Sequence, residues 1–591
     1  MKEARRLCLK LAVALAAFTA FLLPLKFGGI SGLAEVPGTF PSDIFEWLIF
    51  SSYPTEFFTI LCGALLVLTL LGGAVRPPSS RELRLMLWLW GAALPLAVLP
   101  GFVNTMVRDY AYIQLAHWLG IGAWCWATAL LIADDPRRKR WLVGALLLGT
   151  CLSVFSGWRL YFWGFEETRR FYAEKVASGA IRMDEQLQIK LDDDRVYATF
   201  TSCNNFAGFL ILVGAVLTVT AVKLGGRIEP RKLSRWFLGA TAAVLTLGLL
   251  PLTRSRGALL CALLAALGAF LCSRLPRAAK IAALALAVAA GIGGAWYVHR
   301  AGRGFSSGME RVDYLRTVAH LTAAHPVAGA GWDGFFREHM RVKQTATDES
   351  AHDPHNLAAS FAAQSGVVPG LLALAALVLP LAALFRRYRT LDPWRRAVCW
   401  GCAAAALHML MEMDYQVPAQ LAAFWLLAVS ALCGDGEPPA EEVPLRRRIP
   451  AVSAAVLSAF LALAVGIFVL RGDLAFARLS SLVTPESGGE WSPPAESELA
   501  SSLAEIRAAG QHLPFALERL AEYRAGNGAP EEAEKLLLAS LASGGDRPGV
   551  YRKLAELARE RGDHAAAVCY WRKAHELFPA KYPAVMPPPA R

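Results

Sequence analysis

The sequence predicts an all-α protein: a polytopic membrane helix bundle of about 12–13 transmembrane helices, followed by a smaller unit of helical repeats. Three observations carry that prediction. The apolar residues, 55% of a 591-residue chain, fall in blocks of roughly 17 to 25, the length of helix that crosses bilayer hydrocarbon. A soluble chain would spread them periodically over several cores. Basic residues concentrate in alternate connections between the blocks, which is the positive-inside pattern. Far along the chain the composition turns polar, and a motif recurs at an offset of 34 residues.

The first block, 7–25, follows Lys2, Arg5 and Arg6. It has the outline of a signal peptide, but it is long and no small-x-small cleavage site follows, so it reads as an uncleaved first span. Further spans are expected near 55–75, 85–101, 111–133, 141–157, 200–223, 236–252, 257–273, 279–298, 356–384, 397–412, 418–434 and 450–470. The connections 76–84, 137–140, 223–235, 274–280, 386–396 and 446–448 are each basic, which places them and the N-terminus in the cytoplasm. The connections 158–199, 253–256 and 300–355, and the chain beyond 470, then face outward. This pattern accounts for the net charge of +12, and no nucleic-acid face is expected. Most of the eleven cysteines lie in apolar blocks, and no disulfide framework is legible. Cys399 and Cys402 form a CxxC inside an apolar helix without a second ligand pair, so metal or redox chemistry is not expected there.

Beyond 470, residues 481–498 read as a linker rich in Ser, Pro, Gly and Glu. Leu520-Ala521-Glu522 returns as Leu554-Ala555-Glu556, Gly528 as Gly562 and Ala533 as Ala567. A 34-residue period is that of tetratricopeptide repeats, with glycine at the inter-helix turn and alanine where helices approach closely. Two copies rarely stand alone, so an atypical helix pair near 470–512 is expected to complete the stack. The domains are therefore 1–470 in the membrane, 471–512 as linker and atypical helices, and 513–591 as repeats that offer a surface for a protein partner.

Three outward segments carry polar residues at the membrane boundary. They are 195–207, the short turn 253–257, and the long connection ending in Asp353-Pro354-His355-Asn356. Arg254 and Arg256 run against the positive-inside bias. The plain reading is snorkelling to lipid phosphate; the sharper one is recognition of a phosphorylated ligand by the guanidinium fork. Arg256 precedes a glycine where a helix begins, so backbone N–H groups can add to an anion site. For His355 the plain reading is a residue before a span capped by Asn356. Proximity to the arginines favours an imidazole that removes a proton from a hydroxyl, with Asp353 orienting it. Asp348, Glu349, His352, Asp353 and His355 have no recognised metal-ligand spacing, and no metal is expected.

Taken in order, these residues resemble a known set. Arg195, Thr199, Phe200, Asn204 and Ala207; Thr253, Ser255, Arg256 and Gly257; Arg311; Pro326, Gly329 and Gly331; and His355-Asn356 with Gly366 look like the motifs of the O-antigen ligase / O-antigen polymerase superfamily of bacterial membrane glycosyltransferases. The resemblance covers about 10–470 in topology, with the motifs confined to about 195–370. Cys203 stands where members often have proline, and Ala198 where they often have glycine; neither change removes a charged group. The resemblance implies a multi-pass protein of the inner membrane with a periplasmic outer face. Its donor would be an undecaprenyl-diphosphate-linked glycan and its acceptor a hydroxyl. Arg256 and Arg311, with Arg254 beside them, would hold the diphosphate and His355 would activate the acceptor, supported by Arg195, Asn204, Asp353 and Asn356. It also implies no cofactor and no metal. The acceptor stays open among lipid A–core sugar, a growing glycan (polymerase) and protein Ser or Thr (O-oligosaccharyltransferase). Outside the enzyme class stand a lipid-linked glycan transporter and a membrane scaffold. A transporter would repeat its span pattern and carry charges near mid-membrane, and no such repeat is legible.

Overall fold

The computed structural model describes residues 2–29, 53–178, 188, 191–228, 232–282, 284–286, 306–344, 351–433, 445–483 and 493–587. Regular structure among them is entirely helical. The membrane part comprises α1 (Lys2–Lys26), α2 (Thr55–Leu71), α3 (Arg81–Val103), α4 (Arg108–Asp134), α5 (Arg138–Ala177), α6 (Cys203–Ile228), α7 (Lys232–Leu247) and α8 (Arg256–Leu271). It continues through α9 (Ser306–Ala324), α10 (Gly334–Val342), α11 (Leu357–Ser365), α12 (Val367–Arg386), α13 (Pro393–His408), α14 (Pro418–Leu432) and α15 (Leu445–Val483).

A helix that is apolar all round belongs inside a bundle, and α4 and α14 fill that place. Every residue of α14 is buried. Indole N–H groups have no water to bond in hydrocarbon, so they must find acceptors inside the protein. Trp124 Nε1 donates to Ala422 O at 3.1 Å, Trp90 Nε1 to Ala376 O at 3.0 Å, and Trp126 Nε1 to Gly91 O at 2.9 Å. These bonds tie α4 to α14 and α3, and α3 to α12.

Among the described residues, eight helices are long and apolar enough to cross a membrane, fewer than the 12–13 expected. Helix length makes the difference. The blocks corresponding to α2, α8, α13 and α14 are present, but these helices have 17, 16, 16 and 15 residues, short of the ~20 a bilayer requires. The block 279–298 lies mostly outside the described residues. A second correction concerns 356–384, which is two helices. They part at Gly366, whose φ of 112° lies in the left-handed half of the map. A Cβ there would sit 2.2 Å from Val327 O. Gly366→Ala is therefore expected to destabilise the protein by about 2 kcal/mol or more, read as a lower melting temperature in detergent; an unchanged melt would refute this placement. Third, the connection expected across 300–355 carries helices α9 and α10, and α5 continues as helix through Ala177.

The two ends of the bundle differ. At one, Arg5 Nε donates to Gly72 O at 3.3 Å, Arg387 pairs with Glu82 at 2.8 Å, and Lys223 pairs with Asp392 at 3.0 Å. Basic segments of the N-terminus, 76–84, 137–140, 223–227 and 386–396 thus gather there. At the other end, Asn104 Nδ2 donates to Gly329 O at 2.6 Å, and Val196 N to Leu252 O at 3.1 Å.

One helix runs through residue 470 without a break. α15 has 39 residues, about 58 Å at 1.5 Å per residue, against ~30 Å of hydrocarbon, so its last turns leave the bundle. There it meets α16 (Glu496–Ala509), α17 (Leu513–Gly526), α18 (Pro530–Gly544), α19 (Pro548–Glu560) and α20 (His564–Leu577). The 34-residue offset is visible in three dimensions: Gly528 and Gly562 both take positive φ, 76° and 79°, at the turns before α18 and α20. Ala533 and Ala567 are both buried just after those turns. This unit is fastened to the bundle. His512 N donates to Asp109 Oδ1 at 2.7 Å, and Trp571 and Phe578 share a cluster with Met340 of α10.

Candidate active site

The segment that joins α13 to α14, residues 409–417, organises this end of the bundle. Leu357 N donates to Met409 O at 3.0 Å, and Asn356 Nδ2 to Leu410 O at 2.9 Å. Arg311 Nε donates to Met411 O at 3.2 Å, and Arg311 Nη2 also pairs with Glu412 Oε1. The other oxygen of the same carboxylate, Oε2, lies 3.2 Å from His355 Nδ1. Glu412 therefore bridges the guanidinium of α9 and the imidazole that precedes α11. Its side chain is 5% exposed, against 18% for His355 and 34% for Arg311. The carboxylate is the floor, and the imidazole and guanidinium open outward.

His355 is held in a costly conformation. Its φ is 55°, a region that disfavours a residue with a Cβ by about 1–2 kcal/mol. Asp353 holds it there: Oδ1 accepts from His355 N at 3.0 Å and from Tyr415 Oη, and Oδ2 accepts from Ser360 Oγ at 2.6 Å. Asp353 thus fixes the backbone of His355, whereas Glu412, rather than Asp353, sets its ring. The ring stacks on Tyr314 of α9, with centroids 5.4 Å apart. Its Nε2 has no partner among the described residues.

Electrostatics follow from these contacts. Burial by itself would lower the His355 pKa, but the hydrogen bond and charge of Glu412 and the charge of Asp353 raise it above the ordinary value. For Glu412, burial works against ionisation, yet the bond and charge of His355 and the charges of Arg311 and His408 hold its pKa below the usual range. Burial pushes Asp353 up to about 6, against the bonds from Ser360 and His355 that lower it.

The other two polar segments adjoin this one. Val196 N bonds to Leu252 O, which places Arg195 beside the 253–257 turn. Arg195 forks onto Asp193 at 2.9 and 3.0 Å. Burial disfavours the Asp193 charge, but the Arg195 fork and the charge of Arg254 keep its pKa below the carboxylate norm. Arg254, with φ of 51°, is exposed. Arg256 is the exposed first residue of α8, and Ser255 before it makes no capping bond through its side chain, which leaves the first N–H groups of α8 without a side-chain cap. Next to Arg256, a Cβ on Gly257 would lie 3.6 Å from Met411 Cε, on the residue whose carbonyl binds Arg311. Ala198, Arg254 and His355 are three of the four non-glycine residues with positive φ among those described, one in each polar segment; such backbone strain clusters at functional sites. Asn204 stands in the first turn of α6, its N–H accepted by Ser202 Oγ at 3.2 Å, and Asn356 caps α11 through Ala359 N at 3.0 Å.

The structure thus brings His355, Asp353, Asn356 and Arg311 onto one segment and sets Arg256 one residue from it. Arg195 and Arg254 flank Asp193 nearby. Of the residues considered for a metal, Asp348 and Glu349 lie outside the described residues, and the His352 ring stacks on Phe336 at 4.0 Å while His355 turns to Tyr314. Sequence reasoning missed Glu412 and the buried pair beneath it, His408 Nδ1 with Asp414 Oδ2 at 2.5 Å. A signal was present: two carboxylates and a histidine within seven residues, 408–414, between apolar helices, an arrangement that rarely lacks a use.

Residues 241–375 match the family model described as O-antigen ligase. The match includes Arg254, Arg256, Arg311, Asp353, His355 and Asn356; Arg195, Asn204, Glu412 and the C-terminal helices lie outside it. No curated protein and no solved structure matches the chain. The helical bundle with its membrane-length spans, together with this match, supports an O-antigen ligase-like membrane enzyme.

Proposed function

We propose that the protein transfers a glycan from an undecaprenyl-diphosphate-linked donor to a hydroxyl acceptor at the periplasmic face of the inner membrane. The observation that supports this most directly is the bridge made by Glu412 between Arg311 and His355, with exposed Arg256 next to the same segment. A cation for a phosphate and a base for a hydroxyl then stand on one support. Neutral His355 donates Nδ1–H to Glu412 and presents Nε2 to the acceptor. As the acceptor oxygen attacks the anomeric carbon, its proton passes to Nε2. The bond from that carbon to the proximal phosphate oxygen breaks, and the diphosphate leaves with the electron pair. Glu412 stabilises the imidazolium formed, as the carboxylate does in hydrolase triads. Arg256 and Arg311 offset charge growing on the diphosphate, with Arg254 and Arg195 next to them. The C-terminal helices, with their tetratricopeptide-like period, form a surface for a partner or acceptor on the same face.

The test uses purified protein in vesicles with a lipid-diphosphate glycan and a hydroxyl acceptor. Formation of a new glycosidic bond together with free lipid diphosphate is expected. Movement of intact donor between leaflets without bond exchange would replace this reading with transport.

A further inference from the structure

At the end of the bundle away from His355, α5, α6, α13 and α14 enclose a groove of about 350 Å³. Lys139, Arg140, Lys223, Arg227 and Arg395 line it against one carboxylate, Asp392. That carboxylate is shared between Lys223 at 3.0 Å and Arg395 at 3.4 Å, and it also caps α13 through Trp394 N at 2.8 Å. Arg227 has no partner among the described residues. The cationic rim is built rather than loose: Lys139 is buried with Nζ on Cys433 O, and Arg395 Nη2 reaches the same carbonyl at 3.2 Å.

Two further features separate this groove from an ordinary basic loop. Ser430 lines it, is fully buried, and its Oγ has no hydrogen-bond partner among the described residues; a buried hydroxyl without a partner calls for an acceptor or donor. Gly144 also lines it, and a Cβ built there meets no heavy atom within 4 Å. Val143, Leu147 and Leu224 give the groove an apolar wall, next to Thr220 and Trp394. Clustered cations, an apolar wall beside them and a hydroxyl without a partner among the described residues match an anionic headgroup joined to hydrocarbon.

We propose that this groove binds the phosphate headgroup of an anionic phospholipid in the leaflet on the basic side. The bound lipid would brace α5 and α6 against α13 and α14. The far ends of α6, α13 and α14 adjoin Asn204, His408 and the 409–417 segment. Lipid binding in this groove does not depend on the transfer reaction.

Full-length protein in detergent is titrated with phosphatidylglycerol, phosphatidylcholine or inorganic phosphate, and binding is read by native mass spectrometry and thermal shift. Phosphatidylglycerol is expected to bind and raise the melting temperature, phosphatidylcholine to do neither, and phosphate to act only weakly. Gly144→Leu fills open space and favours helix, so it keeps the lipid-free melt and loses the lipid response. Arg227→Ala, at an exposed position, weakens binding by about fivefold and serves should the leucine variant fail to fold. Equal responses to the two lipids, or an undiminished response in both variants, overturn the site. A full response to inorganic phosphate overturns its assignment to lipid.

Discussion

His355→Ala lowers glycan transfer by about 10²–10⁴-fold, the range for loss of a general base, while the membrane-inserted protein keeps its melting temperature and its donor affinity. The donor should still bind because Arg256 and Arg311 do not depend on the imidazole for position: Arg311 is held by Met411 O and Glu412. The pH profile gives a sharper reading. Glu412 and Asp353 raise the His355 pKa, and only the neutral ring can accept a proton. Activity should therefore climb as pH rises through a value above the ordinary histidine pKa of about 6.5. Glu412→Gln removes the charge that favours imidazolium, so this acid limb should move to lower pH even as the maximum rate falls. A purely structural Glu412 would lose rate without moving the limb. Transfer that survives His355→Ala at all pH values would remove the base from this assignment.

The membrane part was legible because hydrocarbon thickness and backbone hydrogen bonding dictate long apolar blocks. The difficulty lay where the chain departs from that rule. α2, α13 and α14 are short and lie among other helices, so their composition resembles a span although their length does not. The break at Gly366 depends on a contact with Val327, 39 positions away, that no local pattern encodes. The site divides in the same way. His355 stood out as a polar group beside an apolar block and Asn356 as a helix cap, because those are local signals, whereas Arg311 was singled out only through the family resemblance. Glu412 acquires its meaning from two partners 57 and 101 residues away, so its role needed the fold. Asp353 was recognised as a neighbour of His355, but adjacency in sequence favoured a backbone contact, leaving the ring to a residue from another segment.

The second large effect falls on the arginines. Arg256→Ala and Arg311→Ala should each lower transfer by about 10²–10³-fold, the usual consequence of deleting one preorganised donor to developing negative charge. Lysine should restore only part of the rate at either position, since a point charge cannot reproduce a planar fork. The two arginines should differ in one measurable respect. Arg311 lies close enough to disfavour imidazolium at His355 and shares Glu412 with it. Removing it raises the His355 pKa further, so Arg311→Ala should shift the acid limb to higher pH, opposite to Glu412→Gln. Arg256, at the start of α8 with no partner among the described residues, should lose rate with the limb unmoved. Arg254, two residues away and beside Asp193, is the internal comparison, with a smaller loss than either. Rates within a few-fold of the unaltered protein for both alanine variants would separate the bridge at Glu412 from any diphosphate chemistry. Limbs that shift together in both would show that Arg256 also acts through His355.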